Sequence, residues 1–209
     1  MSGQKTADIC LVFEKHSHIK QFLSTVGGRK VVSGLGTLGY EFTQGRRYFA
    51  TTAIGTAHIL NLLPAIRTHV RCDIFIRIGT CGVVRKDLNL GDYGLVISCT
   101  NKDILSERLL PDSNPTPSDA LLRRLCGLPG IKEITAFTLD VVWQPLPKAG
   151  DSVDMETTAL FCYANAHDLK AASISLFRDR GNEMLPRAKI EESISRIAMQ
   201  VIQAMENIP

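Results

Sequence analysis

An arginine inside an apolar run is unusual, because its charge must be matched wherever water is excluded. Arg77 interrupts the run Asp73-Ile74-Phe75-Ile76 and is followed at once by Ile78-Gly79-Thr80-Cys81-Gly82. Held where a strand ends, its guanidinium is a fork that matches a phosphate or carboxylate. Gly79 and Gly82 permit close backbone approach, and Thr80 adds a hydroxyl. The other use of such an arginine is a structural ion pair with a neighbouring acid. Further along, Asp154-Met155-Glu156-Thr157-Thr158-Ala159-Leu160-Phe161 sets acids at the head of an apolar helix. Glu156 is there either as a first-turn charge favoured by the helix dipole, or as an acceptor for two sugar hydroxyls with Met155 as an apolar wall. A third segment, Arg178-Asp179-Arg180-Gly181-Asn182-Glu183, crowds charge at the end of a predicted strand. It serves a ligand or forms a charged surface turn. Together these residues point to a site for an anion and a polyol.

The elements that must position them follow from hydrophobic period and turn chemistry. Ala7 to Phe13 reads as a short buried strand and Ile19 to Val26 as a helix. Tyr40 to Thr52 reads as a hairpin around Gln44-Gly45-Arg46. A helix opens at Gly55-Thr56-Ala57-His58, with Ile59, Leu60, Leu62, Leu63 and Ile66 on one face. Asp73 to Ile78 is a strand buried on both faces, ending before Gly79. Strands are also predicted at Gly94–Ser98, 131–142 and Lys170–Phe177, and helices at Ala120–Cys126, Met155–His167 and Ile190–Met205. Lys102 to Ser118, with Pro111, Pro115 and Pro117, and Gln144 to Ser152, with Pro145 and Pro147, read as loops. Alternation of strands and helices predicts a single three-layer α/β/α domain with a central mixed sheet, spanning 1–209.

Composition bounds the partners. With 209 residues, 44% hydrophobic and 22% charged, the chain has enough material for one sizeable core. Its 24 basic and 21 acidic residues leave a net charge of only +3, and no basic run is interleaved with aromatics, so nucleic acid is not an expected partner. No apolar stretch reaches the roughly 18 residues of a membrane span, and the first residues carry no signal-peptide pattern. A soluble, cytoplasmic protein without a membrane partner is the expectation.

The cysteines at positions 10, 72, 81, 99, 126 and 162 are scattered without a Cys-x-x-Cys, and read as reduced thiols that behave as small hydrophobes. His16 and His18 have no matching Cys or His pair, so they read as loop histidines and no metal site is expected. Gly34-Leu35-Gly36-Thr37-Leu38-Gly39 matches a dinucleotide-binding spacing, but a hairpin rather than a helix follows it. No acidic residue ends a strand at the expected distance either, so that reading is set aside.

Four segments, in this order, resemble the nucleoside phosphorylase-I family: Ile76-Arg77-Ile78-Gly79-Thr80-Cys81-Gly82, Leu90-Gly91-Asp92, Thr138-Leu139-Asp140 and Asp154 to Phe161. Asp179 to Pro186 is similar to a loop of its uridine phosphorylases, although Asp179 also aligns with the aspartate that purine phosphorylases carry there. The resemblance implies a pentosyltransferase in nucleoside salvage, cleaving an N-glycosidic bond with inorganic phosphate as co-substrate, and no metal or organic cofactor. On it, Arg77, Thr80 and Lys15 would bind phosphate, and Met155 and Glu156 the ribose. Trp143, Gln144 and Arg180 would bind the base. Asp179 and Arg180 would be catalytic, stabilising or protonating the departing base. Family members assemble as dimers or hexamers, so a homo-oligomer is implied.

This chain also departs from the family. The loop after the first strand, Phe13-Glu14-Lys15-His16-Ser17-His18-Ile19, lacks the family's glycine and arginine, and a second phosphate arginine near Leu35 is missing. Three functions therefore stay open. The first is a phosphorylase with a rearranged anion site. The second is a hydrolase of the same fold, with Glu14 as the acid that activates water, although Arg77 is unusual for such hydrolases. The third is a nucleoside binder without turnover.

Overall fold

The computed structural model describes residues 5–6, 8–34, 37–100, 104–109, 114–139 and 150–206. In chain order the elements are β1 (Lys5–Thr6), β2 (Ile9–Phe13), α1 (His16–Val26), β3 (Arg29–Gly34), β4 (Thr37–Gln44), β5 (Arg46–Thr52), α2 (Thr56–His69), β6 (Val70–Arg71), β7 (Ile74–Val83), β8 (Tyr93–Cys99) and α3 (Ile104–Leu109). They continue with α4 (Asp119–Leu125), β9 (Ile131–Thr138), β10 (Ser152–Asp154), α5 (Thr157–Ala166), β11 (Lys170–Arg180), β12 (Glu183–Met184) and α6 (Arg187–Glu206). The large sheet runs β12-β11-β8-β9-β10-β7-β2-β5-β4-β3 and mixes parallel and antiparallel pairs. It is the predicted central mixed sheet of an α/β fold.

Pairing in that sheet also closes on itself. β11 pairs with both β7 and β8, so β7, β11, β8, β9 and β10 form a circuit. β2 shows why the sheet is covered on both sides: all its residues are buried. By the strand's two-residue period, Ile9, Leu11 and Phe13 enter one core with α1 and α6, while Cys10 and Val12 enter a second core with α2 and α5. No disulfide joins the six cysteines; Cys10, Cys72, Cys81 and Cys162 are buried and Cys126 is exposed. Among the described residues no helix is long and apolar enough to cross a membrane, and no His/Cys/Asp/Glu group could hold a metal ion.

Some element boundaries differ from the sequence reading. β7 does not end before Gly79 but runs through to Val83, and β11 runs three residues past Phe177, to Arg180. α1 starts at His16, which places His16 and His18 on a helix rather than in a loop. A short helix, α3, lies within the predicted loop 102–118. The hairpin of β4 and β5 turns at Gly45 (φ 63°), as expected of the Gln44-Gly45-Arg46 corner.

Candidate functional site

The extension of β7 decides how its polar residues are used. Side chains alternate along a strand, so Arg77 and Thr80, an odd number of positions apart, face opposite sides of the sheet. Arg77 shares its side with Phe75, Cys81 and Val83 in the α2/α5 core, whereas Ile76 and Ile78 face α1 and α6. Thr80 lines a cavity on the latter side. The sequence reading set both residues around one anion; that requires a loop, and the chain makes a strand.

Arg77 is 1% exposed, and its charge is matched within the protein. Nη2 lies 2.6 Å from Glu156 Oε2, and Nη1 lies 3.5 Å from Asp154 Oδ2. Nη1 also donates to Ser175 Oγ at 2.9 Å, and Nη2 to the Thr80 carbonyl at 3.3 Å. Burial alone would lower the guanidinium's proton affinity, but the Glu156, Asp154 and Glu14 carboxylates outweigh it and push it above its ordinary value. Gly79 makes the seat possible. A Cβ at that position would come within 2.7 Å of the guanidinium.

Glu156 is the N-cap residue of α5, and its side chain turns inward instead of capping. Oε1 accepts the Gly55 N–H at 2.6 Å, at the start of α2, and Oε2 accepts the Met155 N–H at 3.3 Å besides Arg77. The helix is capped by Asp154, whose Oδ1 accepts the N–H groups of Glu156 and Thr157 at 3.4 and 3.3 Å. The Thr157 hydroxyl also donates to Asp154. Burial raises the Glu156 carboxyl above its usual range; Asp154 and Glu14 act in the same sense, and Arg77 opposes them. Met155 is half-buried, and its carbonyl accepts from Thr56 Oγ1 at 3.2 Å.

Glu14 stands just beyond the C-terminal end of β2. Its Oε2 accepts both the Thr80 N–H, at 2.9 Å, and the Thr80 hydroxyl, at 2.6 Å, while Lys15 Nζ lies 3.6 Å from Oε1. Glu14 is 8% exposed. Burial would raise its pKa, but Arg77, the Thr80 hydroxyl, Lys15 and His18 together hold it below the usual carboxylate range. The donors that would meet an incoming phosphate at Thr80 already hold a carboxylate of the chain itself.

A cavity of about 360 Å³ opens beside this pair. It is lined by Lys15, Ser17 and His18 of the β2–α1 junction, by Thr80, by Arg178, and by Met184, Leu185, Arg187, Ile190 and Glu191. A register shift in β11 between Phe177 and Asp179 brings Arg178 to the cavity, while Asp179 pairs with Gly82. Arg178 Nε lies 2.5 Å from Asp179 Oδ1. Arg180 donates from Nη2 to the Leu88 carbonyl. Trp143, Gln144 and Asp140 lie outside the described residues. His18, read from the sequence as a loop histidine, lies in the first turn of α1 and lines this cavity.

No family model matches the chain, and no curated protein matches it by sequence. Solved structures do. The 5′-methylthioadenosine/S-adenosyl homocysteine nucleosidase of Campylobacter jejuni is similar with a TM-score of 0.82 at 14% identity, over 97% of this chain and 100% of that one. A mutant of futalosine hydrolase from Helicobacter pylori strain 26695 is similar with a TM-score of 0.79 at 13% identity, over 98% of this chain and 100% of that one. These neighbours are a nucleosidase and a hydrolase, so the expectation of a pentosyltransferase is corrected. The physical reason lies in how the candidate anion ligands are already matched: Arg77 faces Glu156 and Asp154, and Thr80 holds Glu14. The chain has the nucleoside phosphorylase/nucleosidase fold, a single mixed α/β fold around a central mixed sheet.

Proposed function

We propose that this protein is a nucleosidase, which cleaves the N-glycosidic bond of a nucleoside with water to give free base and free sugar. The observation that carries the reading is the Glu14 carboxylate fixed on the Thr80 N–H and hydroxyl beside the cavity. Phosphorolysis needs donors facing the nucleophile, because phosphate is itself an anion. Water needs an acceptor, and a carboxylate at that place repels phosphate while it polarises water.

The remaining residues fit that chemistry. As the glycosidic bond opens, positive charge builds on the sugar and negative charge on the base. Glu14 and Glu156, both near the strand ends and within reach of each other's charge, favour the former. Glu156 Oε1 takes one hydrogen bond, from Gly55, and keeps a second lone pair for a sugar hydroxyl, with Met155 as the wall beside it. Asp179 and Arg180, at the end of β11, are the groups assigned to the departing base, Asp179 as its proton source.

The test is release of base from a nucleoside panel, including 5′-methylthioadenosine, inosine and uridine, in buffers with and without phosphate. The expected result is equal rates in both, with free reducing sugar as the second product. Release only with phosphate, yielding a sugar 1-phosphate, would refute hydrolysis. No release from any nucleoside would leave a binder without turnover.

A further inference from the structure

The carboxylate assigned to the sugar has most of its acceptor positions filled by the protein. Two carboxylate oxygens offer about four such positions, two on each. On Glu156, Oε2 accepts from Arg77 Nη2 at 2.6 Å and from the Met155 N–H at 3.3 Å, while Oε1 accepts the Gly55 N–H at 2.6 Å. What stays open is a single lone pair on Oε1.

The two close donors are held where they are. Arg77 is 1% exposed, donates to Ser175 Oγ at 2.9 Å and to the Thr80 carbonyl at 3.3 Å, and faces Asp154 at 3.5 Å, so its guanidinium cannot swing aside for a ligand. Gly55 begins α2 with φ 77° and ψ 161°, a conformation that side chains exclude, and its carbonyl accepts the Ile59 N–H at 3.1 Å. Thr56 Oγ1 ties the same corner to the Met155 carbonyl.

Resting on the nucleosidase reading, we propose that Glu156 reads only one of the sugar's two neighbouring hydroxyls, at 2′ and 3′, because Arg77 occupies the oxygen that would take the other. A carboxylate with both oxygens open receives one hydroxyl on each and rejects a sugar lacking either, since a buried acceptor is then left unpaired. Here Oε2 is paired whether or not the second hydroxyl is present. The substrate class is therefore nucleosides that carry the hydroxyl read by Oε1, with deoxygenation tolerated at the neighbouring carbon. Arg77, which the anion reading set on phosphate, becomes the residue that sets sugar specificity.

The test uses the full wild-type chain and C-nucleosides of a purine and of uracil, whose carbon–carbon link to the sugar does not hydrolyse, each in ribo, 2′-deoxy and 3′-deoxy form. Calorimetry is expected to show one deoxy form bound about 10²-fold more weakly than the ribo form, as for a lost hydrogen bond to a charged acceptor. The other deoxy form should bind within about threefold of the ribo form. In Arg77→Met, with its folding checked by circular dichroism, that tolerated form is expected to fall about tenfold behind the ribo form, because Oε2 is then open to the second hydroxyl. Base release from ordinary ribonucleosides in phosphate-free buffer, followed in parallel, tests the nucleosidase reading separately. Release by a wild type that binds both deoxy forms equally weakly, or both as well as the ribo form, overturns the single-hydroxyl proposal and leaves the nucleosidase reading standing. A wild type that neither releases base nor binds any of these C-nucleosides overturns both.

Discussion

Arg77 and Glu156 meet at 2.6 Å with both side chains enclosed, one from the middle of β7 and the other from the head of α5. Asp154, at 3.5 Å, makes the arginine the shared counter-ion of two acids on one short segment. Removing the arginine strands both. Arg77→Leu is therefore expected to cost about 3–5 kcal/mol in urea unfolding. Arg77→Lys should fall between the two, since an ammonium has no planar fork for Glu156 and Ser175 at once. A leucine variant with the wild-type midpoint would mean that this pair does not hold β7 and α5 together.

Two of the three carboxylates near Arg77, Glu14 and Glu156, give stability opposite dependences on pH. Glu14 has its pKa lowered in the fold from the ordinary 4.5. Its contribution is present above that value and is lost as pH falls through the lowered one. Glu156 is raised, so the folded chain binds its proton first. Acidification through that raised value towards 4.5 thus favours the fold. Urea unfolding across the acid range should show stability rising and then falling as pH drops. Glu156→Gln should flatten the upper part, and Glu14→Gln the lower.

Gly79 is required by its neighbour rather than by its own backbone. An alanine Cβ would sit 2.7 Å from the Arg77 guanidinium, which its hydrogen bonds hold in place. Gly79→Ala is expected to cost about 1–3 kcal/mol. Gly127→Ala, where a Cβ meets nothing within 4 Å, serves as control and should stay within about 0.5 kcal/mol of wild type in the same thermal melts. Equal behaviour of the two variants would contradict the packing described at Gly79.

Thr80→Val removes the hydroxyl that donates to Glu14 at 2.6 Å and keeps the backbone donor at 2.9 Å. With one donor fewer, Glu14 should be protonated more easily and hold the attacking water less well. Base release is expected to fall about tenfold, equivalent to about 1.4 kcal/mol. Thr80→Ser should restore most of it, and a valine variant of full activity would separate Thr80 from the reaction.

Much of the scaffold was legible in the sequence, and the site less so. β2, the first half of β7, α2 and α6 are continuous apolar runs or amphipathic stripes, and Gly45 marks its own turn. The order of strands and helices gave the α/β class. What no local pattern carries is long-range pairing. Gly79 and Gly82 look like a strand's end, yet β11 and β10 pair alongside them and keep β7 extended to Val83. That extension puts Arg77 and Thr80 on opposite faces, and so separates residues that the motif sets together. Of the two uses open to Arg77, the ion pair is the one the fold displays. His18 was misplaced for a related reason: its charged and polar neighbours read as loop, although they begin α1.

A ring of strands offers no margin along which another chain could add itself. Among the described residues β7, β11, β8, β9 and β10 complete one another, and the outermost members of the larger sheet are β3 and β12. Met184, 68% exposed on β12, lies on one of those two borders. An extended segment that joined the sheet at β12 would border the cavity, which Met184 lines together with Thr80.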